Sequence, residues 1–277
     1  MKHHFGDFLD RTDDYWTIVP NAARYSFSAD KKIKDKSKVK ILTISKYDHH
    51  WDQVFDCPNI EEVTLHDPGK EQIENIHRLK QLKRLRVTFC RTKDIDFIGK
   101  LVNLEELVLE YVSGFSDLSP LQNLKKLKSL HLENLRGVSS FDGLTGLKKL
   151  RYLHIDGTID WKQPIDNFSF LSGLPKLELL SFMFVINKSD FPAFLPVLVL
   201  KKLKKFKAGM ATFNTKEYAF IQTALPRVKC CNFGEIEWSP CYQINDEYMH
   251  FIGKGAGNIR LNSPGANSKI EAFKKKY

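Results

Sequence analysis

The chain has 277 residues, of which 42% are hydrophobic and 27% charged, a balance typical of a globular protein with one large or two small domains. Its formal net charge of +10 makes nucleic acid or an acidic partner a hypothesis to test. The longest apolar stretch, FPAFLPVLVL (191–200), contains two prolines and is too short to cross a bilayer, so we expect no membrane association.

The segment before the first repeat, residues 1–38, is predicted to form an N-terminal cap. It has no apolar run of the kind that a secretory signal needs. It ends in the charged run KKIKDKSK (31–38), and its early aromatic residues are Phe5, Phe8, Tyr15 and Trp16. The chain has five cysteines, an odd number without metal-ligand spacing, which favours reduced thiols. These features predict a cytoplasmic protein.

The pattern L-x-x-L-x-L, with Val, Ile or Phe allowed, recurs along most of the chain. The nine copies begin at Val39, Ile60, Leu82, Leu104, Leu127, Leu150, Leu177, Leu203 and Val228, and the last two are degenerate. One copy cannot bury its own leucines, so neighbouring copies must stack into a continuous core. The pattern therefore predicts a solenoid over residues 39–238.

This pattern resembles the leucine-rich-repeat family, and DLSPLQNLKKLKSLHL (117–132) is similar to the short internalin-type bacterial repeat. The resemblance implies an α/β solenoid with a curved parallel sheet on the concave side, 3₁₀ or helical turns on the convex side, and terminal caps. It also implies a bacterial, non-enzymatic protein that recognises other proteins through its concave face. The family usually places Asn or Cys three residues after the third apolar position. Only Cys90 fits here, so we expect different turns after the strands.

Residues 239–277 are predicted to form a C-terminal cap. YMHFIG (248–253) and NIRLN (258–262) are expected to pair as a hairpin around GKGAG (253–257), and a helix is expected after Ser263-Pro264. GKGAG lacks the spacing of a phosphate-binding loop, so we interpret it as a turn.

Positions three, five and seven of each repeat should face the concave side, with position eight at its edge. In repeats 4 to 6 these positions carry four carboxylates and no lysine or arginine. We predict an open acidic face that attracts a basic segment of a partner protein. The candidate partner-binding residues are Glu106, Glu110, Tyr111, His131, Glu133, Tyr152, His154 and Asp156.

Two histidines and two carboxylates of this set should lie side by side, as His131 beside His154 and Glu133 beside Asp156. Such a group could bind a divalent metal, and a metal-dependent hydrolase is the alternative that this raises. A flat exposed array lacks the surrounding groups that hold ligands in place. We therefore predict no metal and no cofactor. The sequence has no serine, cysteine or threonine nucleophile with a recognisable partner and no H-E-x-x-H motif, so we predict no enzymatic activity. We favour an intracellular adaptor or an immunity-type inhibitor.

A basic rim precedes the strands. The position before the first leucine holds a cation in five successive repeats, as Lys126, Lys149, Lys176, Lys202 and Arg227. A solvated edge explains such a row. The alternative is contact with nucleic acid or an acidic partner.

Repeats 6 to 8 are longer than the others, and their extra residues fall in the loops 158–170 and 185–196. Insertions in a solenoid often gather on a binding side. These longer repeats also carry Trp161, Phe191 and Phe213, which could add to a binding surface or pack in the core.

Overall fold

The structure is a computed structural model that describes residues 26–230, 236–241 and 246–277. The four early aromatic residues of the predicted N-terminal cap lie outside the described residues. Cys231 and Phe233, which complete the ninth repeat, lie outside them as well. Within the described ranges, no helix is long and apolar enough to cross a membrane.

A parallel sheet of ten strands runs the length of the repeats, with consecutive repeats as neighbours. Its strands are β1 (Phe27–Ser28), β2 (Ile41–Ser45), β3 (Glu62–His66), β4 (Arg84–Arg91), β5 (Glu106–Ser113), β6 (Ser129–Glu133), β7 (Tyr152–Asp156), β9 (Leu179–Met183), β11 (Lys205–Ala208) and β12 (Lys229–Cys230). Between them lie β8 (Gln163–Ile165) and β10 (Val185–Asn187), which form a separate parallel pair. The predicted solenoid of stacked leucine-rich repeats is therefore confirmed.

The apolar positions of the repeat form one continuous core. Leu130 and Leu153 face each other across neighbouring strands, and both are fully buried. On the opposite side of the core from the sheet, short helices return the chain to the next strand. These are α1 (Lys70–Ile76), α2 (Asp96–Gly99) and the 3₁₀ helices Lys36–Lys38, Trp51–Asp56, Ser119–Asn123, Asp142–Leu144, Ser169–Gly173 and Leu195–Val199. The apolar residues at three-residue spacing pack from these helical turns into the core, as predicted.

The turn after each strand explains why the usual asparagine is missing. Its position holds Cys90, Val112, Leu135 and Val185 in four of the repeats, and all four side chains are buried in the core. The preceding eighth position of the repeat adopts a positive φ of 43–54° at Asp67, Phe89, Tyr111, Asn134 and Phe184. In repeats 3, 4, 5 and 7 this conformation directly precedes an apolar side chain that is buried in the core.

The backbone hydrogen bonds of the sheet continue through this turn. The amide of Asn134 donates to the carbonyl of Asp156, and that of Gly157 donates to Met183, each over 2.9 Å. Repeat 6 requires glycine at its eighth position because a Cβ on Gly157 would collide with the carbonyl oxygen of Phe184. The turns thus satisfy their polar backbone groups without an asparagine side chain.

A buried glutamine in the long loop of repeat 6 forms hydrogen bonds with the preceding repeat. The Gln163 side chain accepts a hydrogen bond from the amide of Leu135 over 3.0 Å and donates to the carbonyl of Val138 over 2.7 Å. These are backbone groups of repeat 5, so the glutamine joins two successive repeats. Of the aromatic residues in the longer repeats, Phe213 is buried and Phe191 is exposed.

The end of the chain packs on α3 (Thr215–Ala224), the helix that follows the strand of the eighth repeat. An antiparallel sheet of β13 (Ile236–Cys241), β14 (Asp246–Phe251) and β15 (Asn258–Arg260) precedes the final helix α4 (Ala266–Lys276). The Thr215 hydroxyl donates to the carbonyl of Ile252, and the hydroxyl of Tyr277 donates to Gln222. Ile252 belongs to the same apolar core as the repeats.

Candidate functional site

Three rows of side chains cross the concave sheet in repeats 4 to 6. The pairing of β5, β6 and β7 aligns Glu106 with Ser129 and Tyr152, Val108 with His131 and His154, and Glu110 with Glu133 and Asp156. Because side chains alternate along a strand, all nine lie on one face of the sheet. Seven of the eight candidate partner-binding residues belong to these rows, and Tyr111 follows directly in the eighth position.

Most of these side chains are buried, so the expectation of an open polar face is wrong. Glu106, Glu110, His131, Tyr152, His154 and Asp156 are all buried, and Glu133 is partly exposed. Only Tyr111 is well exposed, at 39%. Neighbouring strands lie about 4.8 Å apart, so long side chains in one row cover those in the next.

Two arginines of repeat 3 neutralise most of the acidic residues. Arg84 donates to Glu62 over 2.5 Å and to Glu106 over 2.9 Å, and both carboxylates are buried. Arg86 donates through two nitrogens to one oxygen of Glu110, over 2.8 and 2.6 Å. Two of the four carboxylates of repeats 4 to 6, Glu106 and Glu110, are therefore paired with arginines of repeat 3. The sequence signal was the shared register of the arginines with the glutamates of the adjacent repeats.

Glu133 and Asp156 continue the acidic row across β6 and β7. They lie beside His131, whose Nε2 is 3.7 Å from Glu133 Oε2 and 3.4 Å from Asp156 Oδ2. Burial raises the pKa of both carboxyl groups, against the opposing effect of His131. Burial also lowers the pKa of His154 well below its usual range, with His131 and Lys207 adding to the effect. The cluster is thus poorly solvated.

Exposed aromatic residues line the border where the strands end, and the sequence reasoning recognised only one of them. Phe89 is 54% exposed and stacks on Tyr111, with ring centroids 4.9 Å apart and planes inclined by 13°. His66 meets Phe89 edge to face at 5.6 Å. We call His66, Phe89 and Tyr111 the aromatic border. Its sequence signal was an aromatic residue at the eighth position in two successive repeats.

A small cavity of about 340 Å³ opens beside the aromatic border. Its lining includes His66, Phe89 and Thr88 together with the Arg86–Glu110 ion pair. His66 Nδ1 and the Thr88 hydroxyl are 2.9 Å apart and form a hydrogen bond. The cavity therefore combines the exposed ring of Phe89 with fixed polar groups.

The basic rim lies along the opposite border of the sheet. Lys126, Lys149, Lys176, Lys202 and Arg227 are all exposed. Lys126 donates to the side chain of Asn103 over 2.6 Å, which attaches one lysine to the preceding repeat. The structure thus separates a basic border from an aromatic one.

The long loops border a second cavity, of about 410 Å³. Ile159, Phe184 and Ile186 contribute exposed apolar side chains to it, and Lys162 and Lys254 contribute positive charge. This is the surface on which a partner would lie if binding used the long repeats.

No protein-family model matches the chain, and no curated protein matches it in sequence. Among solved structures, the chain is similar to an internalin, InlF, from Listeria monocytogenes, with a TM-score of 0.55 and 18% identity over 78% of this chain and 60% of the internalin. Internalin C2 from the same species gives a TM-score of 0.43 and 22% identity, covering 56% of this chain and 66% of that chain. The Arabidopsis receptor kinase HAESA was solved with the peptide hormone IDA and the co-receptor SERK1. It gives a TM-score of 0.45 and 22% identity, covering 61% of this chain and 32% of the HAESA chain.

The chain thus spans about 60% of the length of InlF, and its likeness to InlF concerns the fold. The same fold follows from nine copies of the repeat, the parallel sheet with one strand per copy, and the short helical turns behind it. The chain is a leucine-rich-repeat solenoid.

Proposed function

We propose that the chain is a non-enzymatic protein-interaction module that binds a partner segment along its concave side, at the aromatic border. The observation that carries this proposal is the stacked pair Phe89 and Tyr111. Both rings are exposed, and both residues have a φ of 54°. Aromatic residues supply much of the energy of protein interfaces, because they bury a large rigid surface at low entropic cost.

The backbone conformation of the aromatic border supports a binding role. A positive φ is uncommon for bulky residues and costs about 1–2 kcal/mol at each position. The strand pairs Thr88 with Glu110 before this position and Cys90 with Val112 after it, so the surrounding sheet imposes the conformation. Asparagine would satisfy the same backbone at lower cost, as Asn134 does in repeat 5. Phe89 and Tyr111 thus occupy a turn of the repeat in which asparagine would cost less, and their rings are exposed.

The partly exposed Glu133 supports a partner with a basic segment. Arg84 and Arg86 already neutralise the glutamates of the flanking repeats, which leaves Glu133 as the accessible carboxylate of the row. Because burial raises the pKa of Glu133, an approaching lysine or arginine would favour its ionised form. The finer proposal is an intracellular adaptor or immunity-type inhibitor from a bacterial cytoplasm, for which the internalin-like repeats are the support.

Replacing both aromatic residues by asparagine tests the proposal. In Phe89→Asn/Tyr111→Asn, partner affinity should fall by about 2 kcal/mol or more, roughly thirtyfold in Kd, because two hot-spot residues are lost. The melting temperature should stay equal or rise, because asparagine tolerates the positive φ. The partner is first identified by affinity capture from the native cell, and its affinity is then measured by calorimetry with the purified proteins.

The matched control for this experiment is Ile159→Asn/Ile186→Asn, which removes two exposed apolar residues from the long loops. Its affinity for the partner should equal that of the wild type. Loss of binding in the control, with normal binding in the aromatic variant, would place the interface on the long repeats and refute the proposal.

The basic rim favours a second candidate function, the binding of nucleic acid. Five exposed cations in register could contact successive phosphates, but the exposed aromatic pair on which bases could stack lies on the opposite border. We therefore expect only weak binding that is independent of sequence. Replacing Lys126, Lys149, Lys176 and Lys202 together by Gln should make the slope of log K against the logarithm of the salt concentration less negative by about 3. Tight, sequence-specific binding at physiological salt, measured by fluorescence anisotropy, would make nucleic acid the better candidate.

A further inference from the structure

The middle of the concave sheet brings two imidazoles to a single carboxylate oxygen. His131 and His154 are direct neighbours across β6 and β7, with ring centroids 4.7 Å apart. Asp156 Oδ2 lies 3.4 Å from His131 Nε2 and 3.1 Å from His154 Nδ1. Three residues from two adjacent repeats therefore converge on one point.

These separations match the edges of a tetrahedral metal site. Zinc binds imidazole nitrogen and carboxylate oxygen at about 2.0–2.2 Å, which places neighbouring ligand atoms about 3.3–3.5 Å apart. Both distances to Asp156 Oδ2 are close to this value. One ligand atom from each of the three residues lies within 4.8 Å of the other two.

The surroundings hold these ligands in place. His131, His154 and Asp156 are all buried, whereas an exposed array would leave them mobile. The amide of Met183 donates to Asp156 Oδ1 over 3.0 Å, which leaves Oδ2 directed at the histidines. Val108 and Ser181, also buried, flank the pair of imidazoles in the same row. The objection to a metal that followed from an exposed face does not apply to this buried cluster.

One positive charge faces the cluster from a neighbouring repeat. Lys207 lies in the same row two strands away: it is aligned with Ser181, which is aligned with His154. Its charge opposes a bound cation.

We propose that His131, His154 and Asp156 bind one Zn²⁺ ion. Two imidazoles and one carboxylate are a ligand set that zinc prefers. Glu133 lies beside these ligands, with its Oε2 3.7 Å from His131 Nε2. Because the ligands come from consecutive strands, the ion would join repeats 5 and 6 and stabilise the folded chain against unfolding.

Calorimetric titration of the metal-depleted full-length chain with zinc chloride tests the site. We expect one ion per chain and a higher melting temperature with zinc. Asp156→Asn keeps Oδ1 as the acceptor for Met183 and should weaken zinc binding at least tenfold, as should His154→Gln. Cobalt provides a second readout, because tetrahedral Co²⁺ gives intense visible absorption, which both variants should lose. Circular dichroism without metal checks that they are folded.

The matched control is His49→Gln/His50→Gln, which removes two exposed histidines far along the sequence from the cluster. This variant should bind zinc as the wild type does. Absence of stoichiometric zinc binding by the wild type would overturn the proposal. So would unchanged zinc binding in both Asp156→Asn and His154→Gln, or its loss in the control. No partner protein enters this experiment, so its outcome is independent of the proposed interaction function.

Discussion

Replacing Arg84 by Met is expected to lower the free energy of unfolding by about 3–5 kcal/mol, the range for removing one member of a buried ion pair. Arg84 is only 14% exposed and lies between Glu62 and Glu106, whose side chains are 1% and 0% exposed. Without the guanidinium, two buried carboxylates face each other across one strand. The loss is measured by chemical denaturation at neutral pH.

Two further variants show whether uncompensated charge causes this loss. Adding Glu62→Met and Glu106→Met to Arg84→Met removes the charges altogether, so most of the stability should return. Arg151→Met is the matched control, because Arg151 forms an ion pair with Glu178 over 2.6 Å but is 39% exposed. The Arg151→Met substitution should lower the free energy of unfolding by less than about 1 kcal/mol. A triple variant as unstable as Arg84→Met would show that packing rather than charge is responsible.

Leu130→Ala is expected to cost about 2–5 kcal/mol, the range for large-to-small changes in a packed core. Leu130 is fully buried in the middle of the solenoid and contacts the core of both neighbouring repeats through its strand partners Leu107 and Leu153. Each repeat depends on its neighbours for a closed core, so a central cavity weakens two interfaces at once. Denaturant titration measures the change.

The control for the core substitution is Leu198→Ala. Leu198 lies in the 3₁₀ helix Leu195–Val199 on the convex side and is 41% exposed. Its replacement should change stability by no more than about 0.5 kcal/mol. Equal effects at the two positions would contradict the repeat register, and with it the division of each strand into core and concave residues.

The fold follows from the sequence because each repeat contains two sets of apolar positions, one for the strand and one for the convex turn. Leucines at positions one, four and six set the strand register, and apolar residues at three-residue spacing set the convex turns. Stacking then aligns every strand with the next, which is why the repeat register alone predicts His131 beside His154. These rules are local and are repeated in each unit, so small irregularities such as the longer repeats 6 to 8 do not obscure them.

The burial of the concave face does not follow from the repeat. The alternation of side chains shows which residues face that side but gives no information about how they cover one another. Arg84 and Arg86 are recognisable as basic residues of a neighbouring strand, but their pairing with Glu106 and Glu110 depends on side-chain conformations across repeats. The sequence therefore predicts a concave face that is more acidic and more exposed than the one in the structure.

Phe89 was not among the candidate residues for a different reason, although Tyr111 was. At the eighth position of repeat 5, Asn134 has a positive φ of 51°, which asparagine tolerates easily. Phe89 and Tyr111 adopt the same kind of turn against their own preference, since the sheet on both sides imposes it. Local propensity therefore does not indicate that these two rings project from the strand ends side by side; only the aromatic residue at the eighth position of two successive repeats does.

Photo-crosslinking tests the proposed interface most directly. With p-benzoylphenylalanine in place of Phe89, irradiation of the complex should attach the partner covalently at this position. Mapping the product should identify a partner segment that contains lysine or arginine. The same group at Leu198, on the convex side, should give no crosslink. A partner that reacts at Leu198 and not at Phe89 would contradict binding along the concave side.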